Sequence, residues 1–367
     1  MSMARDGIAR VLEGSGISVA PLEWTRDRSR NSRPLWQRAT FKVRRTVGLE
    51  DRDVASAVAA RAEAEIARAV TDADLAFFPW PYWVEPPRVS CAVAATIHDL
   101  NFKYFFGTQI FSTTDVALLD GQIGRWASNA ASVASSEFMA DEIAKHYPSA
   151  HSTSVIRLAP FASPDRNGST PPSDEARRLG RYVLCGTHLT VHKNLGALIA
   201  AQAILRSRFP DVRLVITGAG TEAATGQSTA IGSFVTPSDP DVIGLGYVSN
   251  ERIDALIAGA AVVVNPSLYE AGNGPGVDAW SFGTPVAMSD IPAFREHLPA
   301  LGVQAALFDP RDPADIAAKI SDVLEHPEEW SVRAAASKVA IGARSWDDVA
   351  KDYLSVFDRA FSDHARG

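Results

Sequence analysis

The sequence lacks long hydrophobic runs and contains little cysteine. No apolar stretch approaches the ~20 residues that a membrane-spanning helix needs. The N-terminus carries charged residues such as Arg5 and Asp6 and has no apolar core of a secretory signal. Cys91 and Cys185 both lie in apolar segments, which favours buried, reduced thiols over a disulfide or a zinc site. These absences predict a cytoplasmic protein without a metal centre.

Positive charge is also in deficit overall, and it is concentrated near the N-terminus. The formal net charge of −7 argues against nucleic acid as the main partner. A basic stretch nevertheless runs from Arg26 to Arg45, with Trp36 and Phe41 interleaved. Such a stretch is either a solvated surface or a contact for anionic lipid headgroups or nucleic acid. The second interpretation predicts a peripheral position at the inner membrane face.

The length and the apolar pattern predict two α/β domains. A chain of 367 residues exceeds the roughly 250–300 residues at which single cores stop growing. Short apolar runs alternate with helical patterns, which is typical of parallel sheets. The pattern predicts strands at residues 17–22, 75–78, 92–97, 132–134, 154–158, 182–185, 212–217, 242–244, 261–265, 286–288 and 306–308.

Composition also predicts the domain boundaries. A polar, Pro-rich stretch from Ser163 to Asp174 disfavours both helix and central strand. We therefore place an N-terminal domain at residues 1–162, a linker at 163–178 and a C-terminal domain at 179–345. Ser345 and Asp348 have the spacing of a capping box, so residues 346–367 are predicted to form a final helix.

The densest chemical signal is a strand followed by two acidic residues around a Gly-rich loop. Glu270 follows the strand at 261–265, and the loop with Asn273 and Gly274 leads to Asp278. Backbone N–H groups at a helix N-terminus suit a phosphate, and carboxylates accept hydrogen bonds from sugar hydroxyls. The alternative is a tight strand-to-helix turn with solvated carboxylates, which explains the glycines but not the paired acids.

A second block joins a strand, a loop and a helix start in the C-terminal half. Its strand ends at Gly186 and Thr187, and His192 and Lys193 precede the helix. Lys193 at a helix N-terminus places a point charge beside backbone N–H donors, where an anionic group gains stabilisation. The alternative is a surface lysine without a role.

Polar residues also follow two strands of the N-terminal half. His98 and Asp99 end one strand, at the carboxyl edge where open α/β sheets bind ligands. Ser136 and Glu137 follow the next strand and begin a helix that the serine can cap. A lone histidine at a strand end is otherwise a structural residue.

Together these blocks resemble glycosyltransferase family 4, whose donor motif is Glu-x7-Glu followed by Gly-x-Pro-Val. Glu270 stands at the first acidic position, and Asp278 replaces the second Glu. The resemblance implies that Glu270 contacts hydroxyls of the transferred sugar and Asp278 the ribose. It also implies that His98 faces the donor sugar, and that the segment with Ser136 and Glu137 closes the acceptor-side cleft together with Asp99.

The second block is similar to the same family's Gly-Thr-x4-Arg-Lys-Asn-Leu segment. Thr187 and His192 stand where relatives often have arginine. Lys193 therefore takes more of the diphosphate's charge, and His192 helps when it is protonated. The nucleoside is expected against Tyr247 and Val248.

The resemblance implies an α/β protein of the GT-B fold, with two Rossmann-like parallel-sheet domains facing across a cleft. It also implies that residues 1–162 form the acceptor-side domain, that residues 179–345 bind the nucleotide sugar, and that the final helix crosses back to the first domain. The implied activity is a retaining transfer of a hexose, with mannose the first candidate, from a nucleotide diphosphate sugar to a glycan or lipid-linked acceptor in polysaccharide biosynthesis. No cofactor or metal is expected, because Lys193 and backbone dipoles replace the metal. We expect the two lobes to bring Lys193 and Glu270 to opposite ends of one sugar. Two alternatives stay open, a GT-B sugar-nucleotide epimerase and a catalytically silent nucleotide-sugar-binding scaffold.

Overall fold

The computed structural model describes most of the chain after residue 66. The described residues are 67–68, 70–82, 84–105, 113–151, 153–160, 173–224, 229–231, 234–236 and 239–366. The predicted strand at 17–22, the basic stretch from Arg26 to Arg45 and most of the predicted linker lie outside them.

The N-terminal part forms a four-stranded parallel sheet with helices against it. Its strand order is β1-β2-β3-β4, so each strand pairs with the next one along the chain. The elements are β1 (Leu75–Phe78), β2 (Ala92–Thr96), α1 (Asn101–Tyr104), α2 (Thr113–Asn129), β3 (Ala131–Ala134), α3 (Glu137–His146) and β4 (Ser154–Val155).

The C-terminal part is a six-stranded parallel sheet of order β12-β11-β10-β5-β6-β9, with a separate two-stranded antiparallel ribbon, β7-β8. Its strands are β5 (Arg181–Gly186), β6 (Val212–Thr217), β7 (Thr229–Ile231), β8 (Phe234–Thr236), β9 (Val242–Gly244), β10 (Val262–Asn265), β11 (Val286–Ser289) and β12 (Ala306–Phe308). The helices are α4 (Asp174–Leu179), α5 (Leu195–Leu205), α6 (Asn250–Gly259), α7 (Gly274–Phe282), α8 (Pro292–Leu301), α9 (Pro313–Glu325), α10 (Pro327–Gly342) and α11 (Trp346–His364).

The strand predictions that fall on described residues are confirmed to within a few residues. The central strands β5 and β10 are apolar and buried, because helices cover both faces of a parallel sheet. The largest difference is at β4, which pairs with β3 only over Ser154 and Val155, although the apolar pattern continues to Leu158. Residues beyond Val155 turn towards the second sheet, where Arg157 bonds Glu296.

The chain ends on the first sheet. Ser345 and Asp348 form the predicted capping box at the start of α11. The buried face of that helix packs against β1 and β2: Phe77 lies 5.1 Å from the ring of Tyr353, whose hydroxyl lies 2.9 Å from Thr96 Oγ1. The last helix therefore ties the end of the chain to the N-terminal sheet. Among the described residues, no helix is long and apolar enough to cross a bilayer.

Candidate functional site

Lys193 and Glu270 form an ion pair at the carboxyl edge of the second sheet. Lys193 ends a 3₁₀ turn (Val191–Lys193) that follows β5, and Glu270 lies in the loop that follows β10, the strand beside it. The Lys193 ammonium hydrogen bonds Glu270 Oε1, and the two side chains are 16% and 17% exposed. Two adjacent parallel strands therefore bring the predicted cation and the predicted acid into contact, partly shielded from water.

A small polar network holds the Glu270 carboxylate. Ser267 Oγ lies 2.7 Å from Glu270 Oε1 and 2.7 Å from Asn265 Oδ1. A hydroxyl has one hydrogen, so Ser267 can donate to only one of these two oxygens at a time. Glu270 therefore depends on Lys193 as its main electrostatic partner.

The backbone beside Lys193 is fixed to the same loop. Asn194 has a left-handed φ of 55°, and its Nδ2 donates to the carbonyls of Pro266 at 3.0 Å and Pro310 at 2.7 Å. The Leu268 N–H donates to the carbonyl of His192 at 2.7 Å. Because these bonds join the two loops, Lys193 and Glu270 are held by rigid backbone on both sides.

One expectation about this pair is wrong. We expected the two lobes to bring Lys193 and Glu270 to opposite ends of one sugar. Both residues belong to the C-terminal sheet, and they touch each other. The reason is topological, because β5 and β10 are hydrogen-bonded neighbours although about 80 residues separate them in sequence.

The Gly-rich loop after Glu270 leads into α7 through a buried cap. Asn273 is the N-cap: its Oδ1 accepts from the Gly276 N–H at 3.1 Å, and the residue is 2% exposed. Asn265 Nδ2 also donates to Asn273 Oδ1 at 3.2 Å. The Asn273 side chain therefore shapes the loop around Gly274, and its predicted donor-binding role stays a prediction. Asp278 lies one turn into the same helix and is half-buried.

The loop at Gly186 and Thr187 is held by its neighbouring strand end. The Thr187 N–H donates to the carbonyl of Thr217 at 2.8 Å. Gly218 faces this loop at a φ of 124°, and a Cβ there would lie 1.4 Å from the carbonyl oxygen of Thr187. Only glycine permits this close approach.

Tyr247 and Val248 lie after β9, at the far end of the same sheet edge. Tyr247 is 81% exposed, while Val248 is half-buried. Gly246 has a φ of 66°, and its carbonyl accepts from the Gly218 N–H at 2.7 Å. The exposed ring therefore projects from a fixed turn that adjoins the Thr187 loop.

The expected help from His192 depends on protonation of its imidazole, which its surroundings disfavour. The residue is 8% exposed and packs between the rings of Phe105 and His188, at 5.6 and 5.8 Å. Burial, followed by the charge of Lys193, lowers the pKa of the His192 imidazole to about 3. The imidazole is therefore neutral at physiological pH and adds no positive charge for a diphosphate.

His98 and Asp99 follow β2 on the N-terminal lobe. His98 Nε2 lies 2.6 Å from the carbonyl oxygen of Pro79, and burial lowers the pKa of the ring. Burial, with the charge of Glu270, raises the pKa of the Asp99 carboxyl to about 6, against the Asn101 N–H and the charge of Lys193, which lower it. The two lobes meet close to this residue, because the Leu100 N–H donates to the hydroxyl of Tyr269, the residue before Glu270, at 3.3 Å.

Ser136 and Glu137 both contact the C-terminal lobe. Ser136 is fully buried: it caps α3, as predicted, and its Oγ donates to the carbonyl oxygen of Ala271 at 2.9 Å. Glu137 is 62% exposed at its side chain, and its N–H donates to a carboxylate oxygen of Glu296 at 2.9 Å. Ser136 therefore joins the lobes through its side chain and Glu137 through its backbone, and their acceptor-side roles stay predictions.

Two further residues were missed by the sequence patterns. The Glu296 carboxylate accepts from the N–H groups of Glu137 and Phe138 at 2.9 and 2.8 Å, and from Arg157 at 2.8 Å. The Tyr269 hydroxyl lies 3.3 Å from the Leu100 N–H of the other lobe. The position of Tyr269 directly before Glu270 was a sequence signal that it belongs to the site. Glu296 gave no such signal, because its partners lie about 140–160 residues away in sequence.

The described residues contain no group of three or more His, Cys, Asp or Glu side chains placed to hold a metal ion. The prediction that no metal is required stays a prediction.

The Lys193 and Glu270 loops lie in a segment that matches a protein-family model. Residues 180–326 match the family model described as Glycosyl transferases group 1, so the match covers β5, Lys193 and Glu270. The MMP alpha-(1->4)-mannosyltransferase of Mycolicibacterium hassiacum is 32% identical over 116 residues, which are 31% of this chain and 28% of the relative. The phosphatidyl-myo-inositol mannosyltransferase of Mycolicibacterium smegmatis is 29% identical over 196 residues, 51% of this chain and 47% of the relative. The matches thus span about half of these curated relatives or less.

Solved structures resemble both sheets together. Anabaena Alr3699/HepE in complex with UDP and glucose aligns with a TM-score of 0.58 and 18% identity, over 81% of this chain and 80% of that one. A trehalose-6-phosphate synthase, OtsA, aligns with a TM-score of 0.63 and 12% identity, over 83% of this chain and 76% of that one. The fold is GT-B. In GT-B terms, the Lys193 and Glu270 loops form the C-terminal wall of the cleft, and His98 and Asp99 lie on the N-terminal wall.

Proposed function

We propose that this protein is a retaining glycosyltransferase of family 4 that transfers a hexose from a nucleotide diphosphate sugar to a hydroxyl of a glycan or lipid-linked acceptor. The observation that carries the proposal is the Lys193–Glu270 pair, which lies beside a Gly-rich helix start and close to the N-terminal lobe. An ammonium suits a diphosphate, backbone N–H groups at a helix N-terminus suit its oxygens, and a carboxylate suits sugar hydroxyls. A nucleotide diphosphate sugar has both the diphosphate and the sugar hydroxyls that these three kinds of group bind.

The direct contact between Lys193 and Glu270 implies an exchange on donor binding. The diphosphate takes the ammonium as its counterion, and Glu270 turns its oxygens to the hydroxyls of the sugar. Ser267 remains 2.7 Å from the carboxylate and limits its movement. Both charges therefore keep a partner in the cleft. A charge left there without one would cost several kcal/mol.

The transfer needs no nucleophile from the protein. The acceptor hydroxyl oxygen forms a bond to the anomeric carbon on the face from which the diphosphate leaves, and the bond to the leaving phosphate oxygen breaks. The hydroxyl proton passes to that phosphate oxygen, so the products are the glycoside and a nucleoside diphosphate. Lys193 stabilises the charge that develops on the leaving group, which lowers the barrier because the interaction strengthens in the transition state.

Mannose is our first candidate for the transferred sugar. Two of the curated relatives named above are mannosyltransferases, and a third similar protein is the O-antigen chain mannosyltransferase B of Escherichia coli, 32% identical over 114 residues. We further propose that the basic stretch from Arg26 to Arg45 brings the protein to anionic membranes. Flotation with phosphatidylglycerol liposomes tests this; equal recovery with neutral liposomes contradicts it.

The function is tested by donor binding followed by turnover. Thermal-shift titration with GDP, UDP, GDP-mannose and UDP-glucose should identify a nucleotide that raises the Tm. Proton NMR of the reaction should then show a new glycoside with the donor's anomeric configuration. Conversion of the donor to another nucleotide sugar, with no acceptor required, would support the epimerase. Nucleotide binding without turnover would support the scaffold, and absence of any nucleotide affinity contradicts all three.

A further inference from the structure

The loop that carries Glu270 is held by both lobes. The Glu270 carboxylate contacts the C-terminal lobe, where it bonds Lys193 and lies 2.7 Å from Ser267 Oγ. The residues on either side of it, Tyr269 and Ala271, are 8% and 5% exposed and pack against the N-terminal lobe. The acid of the site therefore lies between two anchors on the facing lobe.

Tyr269 is inserted among side chains of the N-terminal lobe. Its ring lies 5.2 Å from that of Tyr104, inclined by 32°, and 5.9 Å from that of Phe138, inclined by 62°. Its hydroxyl accepts from the Leu100 N–H at 3.3 Å and donates to Met139 Sδ at 3.7 Å. These partners belong to three segments of that lobe: the loop after β2, α1 and α3.

Ala271 is anchored to the same lobe. It packs in an apolar cluster whose other members all belong to the N-terminal lobe. Its carbonyl oxygen accepts from Ser135 Oγ at 3.2 Å and from Ser136 Oγ at 2.9 Å. Neighbouring Cα atoms are about 3.8 Å apart across a trans peptide. Because both flanking residues are fixed, the backbone of Glu270 is fixed with them.

The ring of Tyr269 is the larger part of its anchor. A buried aromatic side chain removes a large apolar surface from water. The bond between its hydroxyl and the Leu100 N–H is, at 3.3 Å, longer than the about 2.7–3.2 Å of ordinary N–H···O bonds. Loss of the ring should therefore release the loop more than loss of the hydroxyl.

Lys193 is anchored in a different way. Its N–H donates to the Thr190 carbonyl at 3.1 Å, and the next residue, Asn194, donates from Nδ2 to the Pro266 carbonyl at 3.0 Å. These partners belong to the C-terminal lobe. The backbone bonds that position Lys193 thus lie within one lobe, whereas the contacts of the Glu270 loop are divided between two.

We propose that Tyr269 is a positioning residue through which the N-terminal lobe holds Glu270 in the place where it meets the sugar of the donor. This inference rests on the proposed transferase function and deepens it. It makes recognition of the donor sugar, but not of the diphosphate, depend on this contact between the lobes.

The experiment compares ligands that differ only in the sugar. The full chain is titrated calorimetrically with GDP-mannose and GDP, and with UDP-glucose and UDP. The sugar ratio is the Kd of the nucleotide sugar divided by the Kd of its nucleoside diphosphate, for the pair that the wild type binds. In the proposed function Glu270 meets the sugar and Lys193 the diphosphate. A displaced Glu270 therefore raises the sugar ratio, whereas a general loss of stability weakens both ligands alike.

We expect Tyr269→Ala to raise the sugar ratio about tenfold, because hydrogen bonds to a charged group are lost, and to change the Kd of the diphosphate by less than about twofold. Tyr269→Phe keeps the ring and should raise the ratio by no more than about twofold. Tyr269→Leu fills part of the same space without an aromatic ring and should raise it at least about fourfold. It replaces Tyr269→Ala throughout should that variant fail to fold.

Two controls separate positioning of Glu270 from a general contribution to the lobe contact. Arg344→Met removes a different interlobe bond, from Nε to the Arg157 carbonyl at 2.9 Å, and should leave the sugar ratio unchanged. Glu270→Ala removes the group that Tyr269 positions, so adding Tyr269→Ala to it should raise the ratio no further.

The protein without nucleotide gives an independent readout. Lys193→Met and Glu270→Gln should have non-additive effects on Tm. In the Tyr269→Ala background this non-additivity should fall by about half or more, because the carboxylate is no longer held against the ammonium.

An unchanged sugar ratio overturns the positioning role, as does an equal rise in Arg344→Met or an equal rise with and without Glu270→Ala. In each of these cases the nucleotides still bind, so the transferase proposal stands. If no nucleotide binds to the wild type, the transferase proposal fails and the Tm measurements alone decide. Undiminished non-additivity then overturns the role of Tyr269, and diminished non-additivity supports it.

Discussion

Substitutions of Lys193 and Glu270 should have strongly non-additive effects on the free energy of unfolding. Lys193→Met keeps the aliphatic stem and removes the charge, and Glu270→Gln keeps the shape and the Ser267 contact. Breaking a fully buried pair from one side costs about 3–5 kcal/mol, because a charge is left without its partner. Since the side chains here are 16% and 17% exposed, we expect about 2–3 kcal/mol for each single variant.

The double variant should recover most of this loss, because neither charge then remains. In a lobe of this size the single variants should lower Tm by roughly 4–10 °C, and the double variant by less than either. Differential scanning calorimetry of all four proteins measures the cycle. Arg177→Met, which removes an ion pair with Asp174 whose side chains are 62% and 80% exposed, is the matched control and should leave Tm unchanged.

Turnover should behave differently from stability. Lys193→Met should lower the rate by about 10²-fold or more, and adding Glu270→Gln should not restore it, since the leaving group still lacks its cation. Strictly additive Tm losses would show that the two side chains do not interact in solution. Near-normal turnover of Lys193→Met would refute its part in the reaction.

Three further predictions concern the surroundings of the pair. Asp99→Asn should stabilise the protein at pH 7.5 by about 1–3 kcal/mol and have little effect near pH 4. The folded pKa of about 6 lies above the unfolded value, so ionisation of Asp99 destabilises the folded state as the pH rises from about 4 to 6. Urea unfolding measures this, and the same pH dependence in both proteins would contradict it. Glu296→Ala should lower the free energy of unfolding by about 1–3 kcal/mol, because two N–H groups at the start of α3 and the Arg157 guanidinium lose their acceptor. The Tm of Glu296→Gln should lie between those of the wild type and Glu296→Ala, and equal Tm values for the three proteins would exclude the interlobe contact. Gly218→Ala should abolish nucleotide binding or soluble expression because its Cβ would lie 1.4 Å from the Thr187 carbonyl oxygen, whereas Gly342→Ala, with nothing within 4 Å, should be neutral or slightly stabilising.

The strand positions were predictable because they depend on local pattern. A strand buried on both faces needs a short apolar run, and residues 212–217 and 262–265 are such runs. Helix starts were also predictable where a side chain caps its own helix, as Ser345 does. These features involve residues only a few positions apart.

The ionisation of site residues was not predictable in the same way. The sequence shows His192 only as a basic neighbour of Lys193, yet Phe105 and His188 pack against it, and burial followed by the charge of Lys193 lowers its pKa. Asp99 likewise owes its raised pKa first to burial. Both effects are set by how much water each group retains, and that depends on residues far away in sequence.

The sequence by itself determined which residue types follow which strands: a lysine after β5, a glutamate and a Gly-rich loop after β10, and a histidine and an aspartate after β2. Because parallel strands end at a common edge, it also determined that these residues would gather at two edges. Only the tertiary structure decided that β5 and β10 are neighbours, so that Lys193 and Glu270 touch, and that Glu296 holds the start of α3 from the other lobe. Strand order and lobe contacts arise from the simultaneous packing of distant apolar surfaces, and no local pattern records them.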